Sequence, residues 1–342
     1  LSANQVYQPP CTISSATLRL AAEIAEKVGR LAAEPEHVFG LRLHRLHRIW
    51  TIQGSLAIEG NTLSVEQITA ILDGKRVLAP PKEIQEAKGA IEAYQNLEAW
   101  RPHSEKDLLK AHAMLMAGVL DEAGVFRTGD VGVLSGNTVI HMGPPAKHVP
   151  GLMRSLLDWL HATDHHPLIA SSVFHYEFEF IHPFADGNGR LGRLWQTLIL
   201  FRWNPLFAHI PVESLVYEHQ AEYYEALRES TRKTDSAPFI EFMLGMVMDA
   251  LNVASAPEVT PDVAPEVGKM LRLLLEGPLS RKDIQARLGL RDEKHFRLHY
   301  QQPAVSAGLM AMTIPDKPNS RLQKYRLTSL GRRAAQEGSN GG

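Results

Sequence analysis

Cysteine is nearly absent: Cys11 is the only one, so no intrachain disulfide can hold this chain. A lone thiol also fits a reducing compartment, and a cytoplasmic location is the expectation. No apolar run approaches the roughly 18–20 residues of a membrane span, so no membrane contact is expected. Leu1 to Pro10 lack the charged-then-apolar pattern of a signal peptide and read as a poorly ordered start. No internal repeat is present. Net charge is also small, −2 over 342 residues. That near-neutrality hides an asymmetry. Residues 280–333 hold twelve Lys/Arg against four Asp/Glu, so the rest of the chain is acidic. A basic C-terminal unit on an acidic body implies two parts with different partners. The length allows two or three domains, and the apolar content of 44% suffices for a sizeable core.

Most of what is present is helical in period. Leu18, Ala22, Ala25, Val28 and Leu31 mark a helix over 16–31, and a second runs from Leu41 to Glu59 and stops at Gly60-Asn61. Ser64 caps a short helix through Leu72. Further helices are expected over 82–100, 104–116, 149–161, 167–181, 191–203, 218–233 and 238–253. Trp50, Trp100, Trp159 and Trp195 fall on these stretches as core residues. His44 and His47 read as helix-surface residues, without the acid or cysteine partners of a metal site. Between 125 and 148 the pattern breaks. Val131–Leu134 and Thr138–His141 read as two strands around the turn Ser135-Gly136-Asn137. Pro257, Pro261 and Pro265 mark a linker. Three short helices and a two-stranded hairpin around 315–320 follow, then a Gly/Ser-rich tail.

The chemistry concentrates in His182-Pro-Phe-Ala-Asp186-Gly-Asn-Gly-Arg190-Leu-Gly-Arg193. Pro183 biases His182 toward extended backbone, which places the histidine just off a helix. Asp186-Gly187-Asn188-Gly189 is a turn leading into a helix, whose first N–H groups form an anion site that glycine lets a phosphate approach. Arg190 and Arg193 share one helix face, so an anion between them relieves their repulsion. Asp186 offers a hard oxygen ligand of the kind a phosphate-bound Mg²⁺ uses. His182 can accept a proton near neutral pH. Phe184 is the loop's core anchor.

This segment resembles the Fic motif, His-Pro-Phe-x-Asp/Glu-Gly-Asn-Gly-Arg-x-x-Arg, at every specified position. His175, Phe178, Glu179 and Ile181 resemble the helix that leads into it. Val133 to Pro145 and Val149 to Met153 resemble the family's hairpin flap and its exit. The resemblance covers about residues 50–250. It implies a protein adenylyltransferase that takes ATP and Mg²⁺ and moves AMP to a hydroxyl of a target protein or of itself. His182 would deprotonate the hydroxyl, and Asp186 would bind the metal. Gly187, Asn188 and Gly189 would cradle phosphates, Asn188 with its side chain. Arg190 and Arg193 would hold the β- and γ-phosphates. Relatives that transfer phosphate depart at the second glycine, and those that transfer phosphocholine reverse the nucleotide. The intact Gly-Asn-Gly-Arg favours AMP.

Ser55-Leu-Ala-Ile-Glu59-Gly60-Asn61 is similar to the family's inhibitory motif. The resemblance implies that Glu59 pairs with Arg193 within the same chain. An alternative is that Glu59 assists AMP removal, making the protein a de-AMPylase. Tyr223-Tyr224 resembles a segment near the nucleotide, which assigns Tyr224 to nucleotide binding. Thr234-Asp235 departs from the family's Gly-Asp at that place.

The expected architecture is mainly α. Residues 1–100 form a helical region with the inhibitory helix. Residues 101–254 form the Fic core with a β-hairpin flap, 255–265 the linker, 266–333 a winged-helix-like domain, and 334–342 a disordered tail. The C-terminal domain would either bind DNA through Arg291, Lys294, Arg297 and His299 on a helix and Lys317, Arg321, Lys324 and Arg326 on the hairpin, or pack on the Fic body or recruit the protein target with that basic face solvated. A DNA-binding regulator whose Fic domain only senses nucleotide is therefore the rival reading. Fic relatives commonly form homodimers, though no residue here marks an interface.

Overall fold

The computed structural model describes residues 7–33, 41–135, 138–255, 265–290, 292–314, 320–328, 331–332 and 334–335. The chain divides into two compact units, Leu1–Ser255 and Ala256–Gly342. Most of the linker, the flap's turn, Arg291, Lys317 and the last seven residues lie outside the described residues.

The first unit is built of helices: α1 Ser15–Ala33, α2 Leu41–Ile58, α3 Val65–Leu72, α4 Pro81–Gln95, α5 Glu105–Leu115, α6 Val149–Ala162, α7 Pro167–Ile181, α8 Asn188–Trp203, α9 Val212–Glu218, α10 Gln220–Lys233 and α11 Ala237–Ser255. Their starts follow local chemistry. Ser64 and Gln67 close a reciprocal capping box on α3, and the Ser104 side chain accepts from the Asp107 N–H. His166 caps α7, with Pro167 in its first turn.

Several expected boundaries move. The helix expected over 82–100 ends at Gln95 and gives way to a 3₁₀ turn at Leu97–Ala99. The one expected over 218–233 is two helices, broken at His219. Periodicity gave no sign of α9, whose seven residues are too few for a helical period to declare itself.

α7 and α8, joined by the loop from His182 to Gly187, form the centre. Both are buried on nearly every side, and α2, α5, α6 and α11 pack around them. All four tryptophans placed in the core are there, at 7% exposure or less. His47 corrects the surface assignment: it is 1% exposed, and its Nδ1 lies 3.0 Å from the His209 carbonyl oxygen. α2 is enclosed on several sides, so one polar ring among apolar neighbours does not mark a solvent face. The His44 side chain lies outside the described residues.

α11 corrects a second expectation, since it is long and apolar enough to cross a membrane by length and composition. It packs instead against α1, α10 and α7, with Phe239, Ile240, Met243, Leu244 and Val247 buried.

The flap is an antiparallel pair, β1 Gly132–Ser135 and β2 Thr138–Met142, with a register irregularity between Val133 and Leu134. The second unit has its own core, including Val267, Met270, Leu271, Ile284, Phe296 and Tyr325. It contains α12 Pro265–Leu273, β3 Leu279–Ser280, α13 Arg281–Leu288, α14 Glu293–Phe296, α15 Gln302–Ser306, β4 Met310–Met312 and β5 Lys324–Leu327. One turn of π-helix joins α14 to α15. The antiparallel sheet has the order β3-β5-β4, so β3 adds a strand beyond the expected hairpin. The tail was expected to begin at 334, yet Ala334 and Ala335 are helical and buried. Small apolar side chains there complete the second core.

α2 and α9 approach closely at Gly54. A Cβ on Gly54 would stand 2.7 Å from the backbone of Glu213 and Ser214. Helix propensity alone favours Gly54→Ala by about 1 kcal/mol. A rigid backbone neighbour outweighs that gain. We expect Gly54→Ala to lose ~1–3 kcal/mol of stability by chemical denaturation. An equal or raised midpoint would rule out the tight α2–α9 contact.

Candidate active site

The loop between α7 and α8 is held from three directions. His182 follows the last turn of α7 in left-handed backbone, φ 49° and ψ 63°, not the extended conformation predicted from Pro183. The reversal lets its N–H close on the Phe178 carbonyl at 2.9 Å while the chain turns sharply toward α8. Such a conformation costs of order 1 kcal/mol or more in a non-glycine residue, so its surroundings must impose it.

Arg127 is one of those surroundings. Its guanidinium is buried and donates to four carbonyls: His182 through Nε at 2.7 Å, Gly129 at 2.9 Å, Pro144 at 2.5 Å and Ile181 at 3.3 Å. The Arg127 N–H also donates to the Pro183 carbonyl at 2.9 Å. One side chain therefore ties the base of the flap to the strained histidine.

His112, on α5, supports the next residues. Its ring stacks on Phe184 at 3.7 Å between centroids. Its Nδ1 accepts from the Gly124 N–H at 2.8 Å, which leaves Nε2 as the donor to the Asp186 carbonyl at 3.0 Å. Burial lowers its pKa, in keeping with a neutral ring of one tautomer.

Asn188 also has a structural role. Its side chain was assigned to the phosphates. Its Oδ1 accepts from the Phe184 N–H and its Nδ2 donates to the Phe184 carbonyl, both at 2.9 Å, and the residue is 2% exposed. An amide that satisfies both backbone groups of a buried residue locks the loop, and its second N–H stays beside the turn. The backbone contribution stands: the first helical bond of α8 is Leu191 N–H to Gly187 O, so the N–H groups of Asn188, Gly189 and Arg190 precede any intrahelical acceptor. Gly187 sits at φ 83°, and a Cβ there would also strike the Met116 sulfur.

Both arginines already hold carboxylates. Arg190 meets Asp186 Oδ1 at 2.9 Å and Glu86 Oε1 at 3.1 Å, with its side chain 5% exposed. Arg193 is 2% exposed. It donates to the Ser55 hydroxyl at 3.1 Å, the Ser55 carbonyl at 2.9 Å and Glu59 Oε1 at 2.7 Å. Burial alone lowers the Arg193 pKa; Glu59, together with Tyr223 and Glu179, outweighs it and holds the group above its ordinary value. The same carboxylate lies over Gly189, close enough that any Cβ there would clash with Oε1. The Glu59 oxygen thus occupies an anion position between a helix N-terminus and a buried guanidinium.

The end of α2 is itself anchored. Gly60 ends the helix at φ 86°. Gln220 donates to the Ile58 carbonyl at 2.7 Å, and the Tyr224 hydroxyl reaches the same oxygen at 3.5 Å. Tyr224 thus lies beside the inhibitory motif, while Tyr223 is buried against His175 and Phe239. Asn61 donates to Glu86 Oε2 at 2.9 Å, so Glu86 bridges the end of that motif to Arg190. At the departure from the family pattern, Asp235 accepts from the Thr12 N–H at 2.9 Å and secures the N-terminal segment.

Two further ionisable groups lie on α7 before His182. His175 is pushed down to about 3 by burial; its Nδ1 donates to Gln196 and its Nε2 accepts from Tyr223. Glu179 lies 3.8 Å from His182 Nδ1, its pKa pushed up to about 8 by burial, with Arg193 opposing and Glu59 adding to the rise. A protonated Glu179 places no fixed negative charge beside the His182 ring at neutral pH. Asp186 remains 45% exposed on its side chain, its Oδ1 already accepting from the Gly187 N–H and Arg190. Among the described residues no group of three or more acidic, Cys or His side chains is arranged to enclose a metal. A single exposed carboxylate still fits a Mg²⁺ whose other ligands are phosphate and water.

Sequence reading missed Arg127, His112, Glu86 and Gln220. Each is a single polar residue distant in sequence from the loop it supports, so no local spacing marks it. Arg127→Ala would strand several carbonyls in a dry site at ~1–3 kcal/mol each. We expect a loss of at least about 3 kcal/mol of unfolding free energy. Stability within 1 kcal/mol of the parent (roughly the noise of such changes) would show that the flap base and the histidine turn hold without it.

Comparison with known proteins agrees with this geometry. Residues 102–200 match the Fic/DOC family, and residues 265–328 match the C-terminal domain of Fic-like proteins (filamentation induced by cAMP). A protein adenylyltransferase Fic from Nematostella vectensis is 30% identical over 204 residues, 56% of this chain and 45% of that protein. Protein adenylyltransferase fic-1 of Caenorhabditis elegans is 31% identical, over 55% of this chain and 37% of its own length. The chain therefore spans less than half the length of these curated relatives. Among solved structures, a Fic family protein from Desulfovibrio desulfuricans G20 aligns with a TM-score of 0.71 and 50% identity, over 94% of this chain and 99% of that one. A fragment of Fic-1 from C. elegans shares the fold at a TM-score of 0.59 and 23% identity, over 71% of this chain and 72% of its own. With half its residues identical to a solved Fic protein over nearly the full length of both, and with the motif's loop, arginines and flap in place, the chain belongs to the Fic family.

Proposed function

We propose that the protein transfers AMP from ATP to a hydroxyl side chain of a target protein and that Glu59 restrains it in the resting state. The observation that carries this reading is the Glu59 carboxylate itself. It sits on Arg193 and over Gly189, where the helix N-terminus and the guanidinium attract an anion. A triphosphate reaching the same groups must displace it. Relatives named as adenylyltransferases support the reaction class.

The chemistry requires alignment and charge stabilisation more than covalent help. The target oxygen bonds to the α-phosphorus as the bond to the pyrophosphate oxygen breaks. The hydroxyl proton passes to His182, and pyrophosphate leaves with the electron pair. Arg190, Arg193 and the N–H groups opening α8 hold the outer phosphates. Asp186 is the residue to hold Mg²⁺, which when bound neutralises phosphate charge. The two-stranded flap leaves one edge of each strand unpaired, which suits main-chain pairing with a target segment.

In Glu59→Gly, radiolabel transfer from α-labelled ATP to protein should rise by about tenfold or more, the factor that ~1.4 kcal/mol of lost competition gives. In His182→Ala, pyrophosphate release should vanish while nucleotide affinity persists. No gain in the first variant removes the restraint. Persistent release in the second removes the assigned base, and nucleotide binding without release in any variant favours a nucleotide-sensing regulator.

We propose a separate role for the second unit in duplex DNA binding, and its short helices packed with a three-stranded sheet support a winged-helix reading. β5 alternates exposed and buried residues, so Lys324 and Arg326 face outward, and Lys294 and Arg297 are exposed on the helical segment. Arg281 and Arg287 are already paired with Glu293 and Glu276. Replacing Lys324 and Arg326 by Ala in the full chain should lower the slope of log affinity against log salt by roughly one for each phosphate no longer neutralised. Duplex binding indifferent to salt, or absent, would exclude this role.

A further inference from the structure

We infer that a cavity beside the flap exit is a recognition pocket for a basic side chain of the target protein, with Glu177 as its counter-ion. The inference rests on the transferase reading and adds a specificity element to it.

The cavity has a volume of about 470 Å³, room for a lysine or arginine side chain. Leu152, Phe180 and Ile181 contribute apolar wall, Pro144 lies at the flap side, and Glu177, Tyr7 and His148 bring the polar groups. Apolar walls with one carboxylate match a methylene stem ending in a cation.

Glu177 is 5% exposed, on the central helix α7. The Tyr7 hydroxyl donates to its Oε2 at 2.7 Å. Burial raises its pKa and the Tyr7 hydrogen bond opposes the rise; no cation among the described residues contributes to the balance. A buried carboxylate with one neutral donor and no counter-charge is costly unless a cation arrives. The motif-side carboxylates face a different situation, since Glu59 and Glu86 already meet arginines.

The position ties this pocket to the reaction. Pro144 and Ile181 line it, and the carbonyls of both accept from Arg127. The same guanidinium holds the His182 carbonyl. Pro144 follows β2 by two residues, so a segment paired on the flap and leaving along it meets the pocket next to the base. Side-chain pockets flanking a paired strand supply the selectivity that main-chain bonds lack. A basic residue near the accepting hydroxyl is thus the feature this pocket selects.

The direct test titrates the full chain with acetyl-arginine amide, acetyl-lysine amide and acetyl-norleucine amide, followed by NMR. At least one basic amide should bind saturably and about tenfold more tightly than norleucine, a difference of ~1.4 kcal/mol. Glu177→Gln should abolish that preference. Gly151→Leu should block binding by filling the cavity from α6, where a Cβ meets nothing within 4 Å and the fold has no reason to suffer. His182→Ala should leave it unchanged. In the Glu59→Gly background, Ser/Thr peptides with a flanking basic residue should show about tenfold higher kcat/KM than norleucine peptides. That advantage should disappear on adding Glu177→Gln. No preference for a basic amide, or a preference intact in Glu177→Gln, overturns the pocket. Basic-amide binding that depends on Glu177, with no transfer to any peptide, supports the cation site and overturns the transferase reading instead.

Discussion

A guanidinium buried to 2% exposure must have an anion, and much of the first unit is arranged around that requirement at Arg193. Leaving a buried charge without its partner is strongly destabilising. Ser55 and Glu59 meet the need from within the chain. To bring them there, α2 must dock deep against α8, with glycine at the tight points. Gly54 lets the backbone of α9 approach, and Gly189 lets the carboxylate settle over the start of α8. Gln220 and Tyr224 then finish the carbonyl that α2 leaves open at Ile58. The arginine, the two glycines and the helix cap form one arrangement.

A second constraint governs the loop before α8. A histidine in left-handed backbone stays so only where its neighbours leave no alternative. Arg127 holds its carbonyl, Asn188 closes the turn at Phe184, and His112 fixes the Asp186 carbonyl. Each is a buried polar group with its hydrogen bonds satisfied, which makes the loop rigid before any ligand arrives. Preorganisation of this kind suits a reaction that depends on alignment.

How much of this was legible follows from where the information sits. His182 to Arg193 is contiguous, so its glycines, its acid and its paired arginines announce a phosphate site in one reading. Ser55 and Glu59 were legible because four residues on a helix share a face, and the resemblance supplied their partner. The supports were not. Arg127 and His182 are 55 residues apart, and His112 and Asp186 are 74 apart. A single polar residue in an amphipathic helix looks the same whether it faces water or a buried carbonyl. The link of Asn188 to Phe184 was hidden for a related reason: its place in a Gly-Asn-Gly turn is visible, but the partner of its amide is set by three-dimensional closure. The helices were read from period alone, which passed over the seven-residue α9 and took His47 for a surface residue.

The charge arrangement also sets a limit on regulation. On the reading proposed above, Glu59 and the outer phosphate compete for one guanidinium, so nucleotide binding and the docking of the α2 terminus are linked equilibria. Linkage is reciprocal: whatever factor Glu59 removes from productive nucleotide affinity, nucleotide removes from the grip on α2. The linkage need not end at Arg193. Asn61 and Arg190 share Glu86, so a shift of the α2 terminus also changes what holds the first arginine. Both phosphate-binding arginines are thereby coupled to the same helix end through carboxylates. A restraint built on one ion pair would fail with one side-chain rotation. One distributed over Glu59, Glu86 and the Ile58 cap requires the end of the helix to yield as a unit, and a few kcal/mol is enough to make that step decide activity.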